Sequence, residues 1–332
     1  MTITRLPVTP DASAIDAWHS VVTAAHAHDL PAGVPVPGRV ETEGKLRHSS
    51  VSGHAVHFAA TAPDGSYDGV ASLLLFTDEA NRHTAFLDVL AVRPRARRRG
   101  VGAALWAAVR AELAAGGRTS VSTPLEPGGA GEKFATGLGF GNVLPLQWYV
   151  QDVRAAPEAD QPPELPAGYA YAQWTGVVPD AFADAFAEAH NAMEDAPNGE
   201  RDEQSPRWDA DRVRAAAQLI VDRGGVILSS AVLHPAGGNA VAAYTELVLR
   251  DPSDVRAIQY DTVVAPAHRG RGLGRAVKRH MLSAVSARHP GIREIATTVA
   301  DDNAPMLAVN ERLGYRRERG VAIFQAKLAD TL

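Results

Sequence analysis

Two turns in the chain combine arginine with paired glycines: Arg97-Arg98-Arg99-Gly100-Val101-Gly102 and Arg269-Gly270-Arg271-Gly272-Leu273-Gly274. Each follows a β-rich run and a proline, and each opens a helical run. A helix N-terminus offers unpaired N–H groups and the positive end of a dipole, so it favours anions. Glycine lets the backbone come close to a bound phosphate, and arginine adds a permanently charged donor fork. The chemistry indicated is recognition of a phosphorylated ligand. Two familiar phosphate loops do not fit. No Gly-x-x-x-x-Gly-Lys-Ser/Thr occurs, and Val277 stands where a dinucleotide turn needs its third glycine.

Two carboxylates stand inside apolar strand-like runs, Glu246 in "AAYTELVL" and Asp261 in "IQYDTVV". Burial among apolar neighbours raises a carboxyl pKa toward the range of a useful general base. Strand alternation places Tyr260 and Thr262 on one face, and Gln259 and Asp261 on the other. One face meets a substrate, and a solvated outer position is the other reading for each carboxylate. No metal site is expected, because His26 and His28 at i and i+2 on a helix point apart. The chain has no cysteine, which removes disulfides, thiolate metal sites and a Cys nucleophile.

The elements that must position these residues occur twice. "LAVRPRARRRGVGAAL" (90–105) and "TVVAPAHRGRGLGRAV" (262–277) align without a gap at an offset of 172, as between Gly100 and Gly272. "GLGF" (137–140) answers "RLGY" (312–315), and "IDAWHSVVTAAHAHDLPAG" (15–33) resembles "PDAFADAFAEAHNAMEDAPNG" (179–199). Three matches in one order predict two copies of one domain. The Pro- and Ala-rich stretch 152–168 reads as the linker.

In the second copy, helices are predicted over 179–193 and 208–223, then strands over 226–233, 240–249 and 257–265. A helix over 273–288, a strand over 292–300, a short helix over 304–314 and a strand over 321–328 complete the copy. In the first copy, 56–63, 70–77 and 85–92 read as strands and 101–115 as a helix. Lys278, Arg279 and His280 are expected on a solvated helix face, with contact to a phosphate of the ligand as the other reading. Composition is ordinary and globular, with a net charge of −5 over 332 residues. A dedicated nucleic-acid binder shows a basic domain or stripe, so nucleic acid is not an expected partner. No apolar run is long enough to span a membrane and no signal-peptide pattern occurs, so a cytoplasmic protein is expected.

The doubled Arg-x-x-Gly-x-Gly after a strand, together with "NAPMLAVNERLGY" (303–315), resembles the signature of the GNAT superfamily of N-acetyltransferases, in its tandem-domain actinobacterial form. The resemblance spans both halves. It implies an α/β (α+β) fold of two tandem domains, 1–155 and 165–332, each a mixed, mainly antiparallel sheet flanked by helices. It implies acetyl-CoA as co-substrate, with no metal. On this reading Arg269, Gly270, Arg271, Gly272, Leu273, Gly274 and Arg275 hold its pyrophosphate. Val263 and Val264 pair with its pantetheine arm, and Asn303 and Asn310 contact it. Val92, Arg97, Arg98, Arg99, Gly100, Val101 and Gly102 form a possible second cofactor site. Glu246 and Asp261 are the candidate catalytic residues. His190, Glu194, Asp195 and Tyr244 are candidates for the acceptor site, with a polar surface loop as the other reading of 189–203.

The resemblance also carries a departure. Many members place a Tyr acid four residues before the Gly of the final Gly-aromatic pair, where this chain has Asn310, and Ala135 in the first copy. Proton delivery is then left to another Tyr, to water, or to unassisted loss of thiolate. The implied function is acyl transfer from acetyl-CoA to an amine of a small molecule, catalysed by the second domain. The alternative is a non-catalytic CoA-binding or ligand-sensing protein. A monomer or homodimer is expected.

Overall fold

A computed structural model describes residues 1–156, 163–195, 197–234 and 240–331. The chain forms two compact units, one of residues 1–145, 198–204 and 320–332, the other of 146–197 and 205–319. Part of the stretch read as a linker, 157–162, lies outside the described residues.

The first unit runs β1 (Thr2–Arg5), α1 (Ala12–Asp29), α2 (Arg39–Arg47), β2 (Gly53–Thr61), β3 (Tyr67–Phe76), β4 (Ala85–Val92), α3 (Val101–Ala115), β5 (Ser120–Leu125) and α4 (Ala130–Thr136). The second runs β7 (Ala170–Thr175), α5 (Ala183–Asn191), α6 (Ala210–Asp222), β8 (Val226–His234), β9 (Ala240–Leu249), β10 (Arg256–Val264), α7 (Leu273–Arg288), β11 (Glu294–Ala300) and α8 (Ala304–Arg312). Two long strands close the sheets. β6 (Gly141–Asp152) pairs its residues 146–152 with β11, and β12 (Arg316–Lys327) pairs its residues 322–327 with β5. The strand that ends the first repeat thus completes the second unit, and the strand that ends the second repeat completes the first.

Within each unit, pairing is antiparallel except for β4 with β5 and β10 with β11, so each has a mixed, mainly antiparallel sheet. Helices cover both faces of the second sheet. Phe186 and Ala187 of α5 pack with Tyr244 and Val263, while Met281 and Leu282 of α7 pack with Leu247 and Leu249. Even and odd positions of β9 therefore face opposite helices, as a period of two requires. Buried Leu273, Val277, Met281 and Val285 recur at helical spacing and form the inner stripe of α7. Asp209 caps α6 by accepting from the Arg212 N–H at 2.8 Å. β1 and β7 were not legible in the sequence. Each is a short strand with a single paired neighbour, so neither carries a two-faced apolar pattern.

Candidate functional site

In the second unit, β10 and β11 pair only over Arg256–Ile258 and Glu294–Ala296. Arg256 ties the closed end together. Its guanidinium lies 2.7 Å from Glu294 and 2.9 Å from Glu318. Beyond Ile258 the register ends, and a cleft of about 980 Å³ opens with walls from both strands, α7 and α8.

The phosphate-type turn stands at this cleft. Gly270 and Gly272 are left-handed, at φ 77° and 74°, and a Cβ on either would meet no neighbour within 4 Å. Gly272 heads α7 with no side-chain cap, so the first N–H groups of the helix stay available. Val263, Val264, Arg269, Gly270, Gly272, Leu273, Gly274, Arg275 and Asn303 all line the cleft. Asn303 also caps α8, accepting from Met306 N–H at 3.3 Å. Two residues of the expected set stand elsewhere. Arg271 donates to the Tyr169 hydroxyl at 2.9 Å and lies over that ring. Asn310 is fully buried and accepts a 2.6 Å bond from Lys278 Nζ.

The two carboxylates meet at a bulge. Gln259 pairs with Leu247 and Thr262 with Thr245, so Tyr260 and Asp261 both stand opposite Glu246. An extra residue resets strand alternation. This corrects the faces read from the sequence. Gln259 joins Thr262 on the α7 side, where Gln259 donates to Thr245 Oγ1 at 2.6 Å and the Thr245 and Thr262 hydroxyls are 2.7 Å apart. Asp261 turns to the α5 side instead. There His190 Nε2 is 3.8 Å from Glu246 and Nδ1 is 3.7 Å from Asp261. Both separations exceed a direct hydrogen bond.

His190 is packed among the Phe186, Tyr244 and Trp208 rings, with centroids 4.6–4.7 Å away. Trp208 is fixed by Asn191, whose side chain bonds both its N–H and its carbonyl. Burial pushes the imidazole down to about 3, so it is neutral. Burial, reinforced by Asp261, pushes the Glu246 carboxyl up to about 8, and Ser229 donates to it at 3.2 Å. Burial pushes Asp261 up to about 6. Its side chain keeps 38% of its surface and lines the cleft, so water tempers that shift and Asp261 is ionised at neutral pH. Glu246, His190 and Tyr244 lie behind it. Tyr244 is completely buried, and its hydroxyl has no hydrogen-bond partner among the described residues. The side chains of Glu194 and Asp195 lie outside the described residues.

Lys278 corrects the solvated face read for 278–280. It stands one turn before Leu282, on the sheet side of α7, and is only 5% exposed. Its Nζ lies 4.5 Å over the Tyr315 ring, and the residue lines the cleft. The Tyr315 hydroxyl donates to Gln259 Oε1 at 2.6 Å. Burial pushes the Lys278 amine down to about 7. The helical period alone would have placed Lys278 with Leu282. His280 is also engaged, 2.6 Å from the Ser230 hydroxyl and stacked on Tyr171.

The first unit repeats the turn but not its surroundings. Arg97 donates to the Val92 carbonyl as Arg269 does to that of Val264, and Gly100 is left-handed like Gly272. Arg98 is held at φ 60°, where the second turn has Gly270. Arg97 is also held by Asp29 through two 2.6 Å bonds. Arg99 is exposed, a Cβ added at Gly102 would lie 3.5 Å from the Phe134 ring, and Val101 is buried at the head of α3. Ala91 pairs with Val70 as Val263 pairs with Tyr244, and Val89 pairs with Ser72 where Asp261 opposes Glu246.

A sequence profile of the acetyltransferase (GNAT) family matches residues 28–126 and 184–315. The chain belongs to this family, with a GNAT region in each half. It is 29% identical over 280 residues to a mycothiol acetyltransferase from Salinispora arenicola (strain CNS-205), covering 82% of this chain and 81% of the relative. It is also similar to the solved structure of a tandem GNAT protein from the clavulanic acid biosynthesis pathway, determined without AcCoA. That match has 27% identity and a TM-score of 0.83, over 98% of this chain and 99% of the other. A GCN5-related N-acetyltransferase from Sphaerobacter thermophilus shares the fold, with a TM-score of 0.69 at 15% identity over 98% and 96% of the two chains. Among the described residues no helix is long and apolar enough to cross a membrane, and no cluster of three metal-ligating side chains occurs.

Proposed function

We propose that the second unit transfers an acetyl group from acetyl-CoA to an amine of a small molecule, with Asp261 as the general base. The observation that carries this reading is the shared cleft: one ionised carboxylate and one glycine turn for phosphate line the same opening between β10 and β11. The residues fit the co-substrate. Gly270 and Gly272 leave room for close approach, the head of α7 offers free N–H groups, and Arg269 and Arg275 bring positive charge. Bound acetyl-CoA would supply an activated acyl group and a thiol leaving group.

Asp261 takes the proton that makes the incoming amine nucleophilic. A base near 6 is mostly ionised at neutral pH yet stronger than an ordinary carboxylate. Glu246, near 8, stays largely protonated behind it, and His190 stays neutral. The cluster therefore holds about one negative charge at neutral pH, which suits a cationic acceptor. Ser72 and Val89 at the matching positions of the first unit carry no base, which supports a non-catalytic role there.

The test is thiol release from acetyl-CoA against an amine panel that includes the acceptor of the mycothiol acetyltransferase. Asp261→Asn is expected to lower kcat by between about 10²- and 10⁴-fold while leaving CoA binding intact. Tight CoA binding with no thiol release from any acceptor would contradict catalysis and favour a sensor.

A further inference from the structure

Resting on that reading, we propose that Lys278 is the acid of the reaction, giving its proton to the sulfur of the departing coenzyme A from the α7 side of the cleft. Asn310, which occupies the position of the acid Tyr in many relatives, then positions the lysine. The nitrogen–carbon bond forms as the carbon–sulfur bond breaks. Sulfur keeps the electron pair and takes a proton from the Lys278 ammonium; Asp261, having passed the first proton of the acceptor ammonium to solvent, takes the second from the acylated nitrogen and releases it to solvent as well. Lys278 is left neutral and regains a proton from solvent before the next turnover.

Placement comes first. Asp261 faces α5 and Lys278 comes from α7, yet both border one cleft. Attack and departure therefore have separate proton partners on opposite faces of the sheet. Lys278 lies five residues into α7, roughly 7.5 Å beyond the phosphate end at 1.5 Å per residue, toward the closed end of the splay.

The internal repeat supplies the control. Lys278, Asn310, Tyr315, Gln259 and Thr245 form a buried polar cluster. Their counterparts in the first unit are Trp106, Ala135, Phe140, Leu87 and Ala71, all members of one apolar core. Trp106 packs on Phe140 with centroids 5.4 Å apart, the contact that Lys278 makes over Tyr315. The fold is thus stable with an apolar set at these positions, and an ammonium buried against only an amide oxygen and a ring is costly. Its lowered basicity suits proton release near neutral pH. Among the described residues, the other titratable groups on the cleft wall are Arg250, Tyr260, Asp261, Arg269, Arg275 and Arg312, and of these Asp261 alone is a carboxylate.

The experiment pairs kinetics with a readout on non-reacting enzyme. Lys278→Met is compared with wild type for kcat against pH, for CoA affinity, and for the thiol pKa of bound CoA followed by thiolate absorbance. The expected result is a kcat loss of about 100-fold, disappearance of the alkaline limb of the pH profile, unchanged CoA affinity, and a higher bound-thiol pKa. The last follows because thiolate and ammonium stabilise each other as a pair, so Lys278 keeps its proton beside a bound thiolate. Should the Met variant not fold, Lys278→Gln keeps a polar contact to Asn310 and reads the same quantities. Unchanged kcat and thiol pKa in an active enzyme would overturn the acid role alone. Loss of CoA binding would make Lys278 a binding residue and overturn it too. A wild-type protein that binds CoA but releases no thiol would overturn the transferase reading, and the acid with it.

Discussion

Glu246 sits where its ionisation opposes folding. Its carboxyl has an ordinary value near 4.5 and is held at about 8 in the folded chain. Between those values the folded state keeps a proton that the unfolded state has released. The contribution of Glu246 to stability is full below about 4.5 and is lost as pH rises through about 8. Glu246→Gln removes this linkage. Melting temperatures measured from about pH 5 to about pH 9 should fall less steeply for the variant than for wild type. Parallel curves would contradict the burial argument. Glu246 and Asp261 could be singled out in the sequence because carboxylates stand out in apolar runs, whereas His190 entered only through the family resemblance, with a polar surface loop as the other reading. Their meeting was not legible. It depends on one bulge that turns Asp261 toward α5 and Gln259 away from it, and a simple alternation gives the opposite result. Lys278 was hidden among basic neighbours, which resemble a solvated face until the turn-by-turn spacing to Leu282 is followed.

At the scale of elements, the cleft exists because two parallel strands are tied at one end and released at the other. Arg256 makes that tie, with its side chain 7% exposed between Glu294 and Glu318. Removing Arg256 leaves Glu294 to Arg316 and Glu318 to Arg319 but breaks the link between the strands, at a cost of about 2 kcal/mol for the lost charged hydrogen bonds. Arg256→Met is therefore expected to lower the urea midpoint clearly and to weaken acetyl-CoA binding as the splay loosens. A midpoint unchanged from wild type would contradict the tie. Strongly patterned elements were legible to the residue, as with Leu273–Arg288 and Ala240–Leu249. Edge strands were not, because one paired side and a few residues leave little periodic signal.

At the scale of the whole chain, duplication gives the protein its own comparison. Both units keep the strand–turn–helix joint, and where the second has the polar set of Lys278, Asn310, Tyr315, Gln259 and Thr245 the first has apolar core residues. The repeat was legible from its constant offset. The exchange of closing strands was not, because β6 and β12 have patterns that suit a seat in either sheet. The central claim, that the second turn alone serves turnover, is tested by matched variants. Aspartate tolerates the left-handed conformation better than most residues, and it sets a negative charge where a phosphate would lie. Thiol release from acetyl-CoA should collapse in Gly272→Asp and persist near the wild-type rate in Gly100→Asp. Persistent activity in Gly272→Asp, or its loss in a folded Gly100→Asp, would contradict the account.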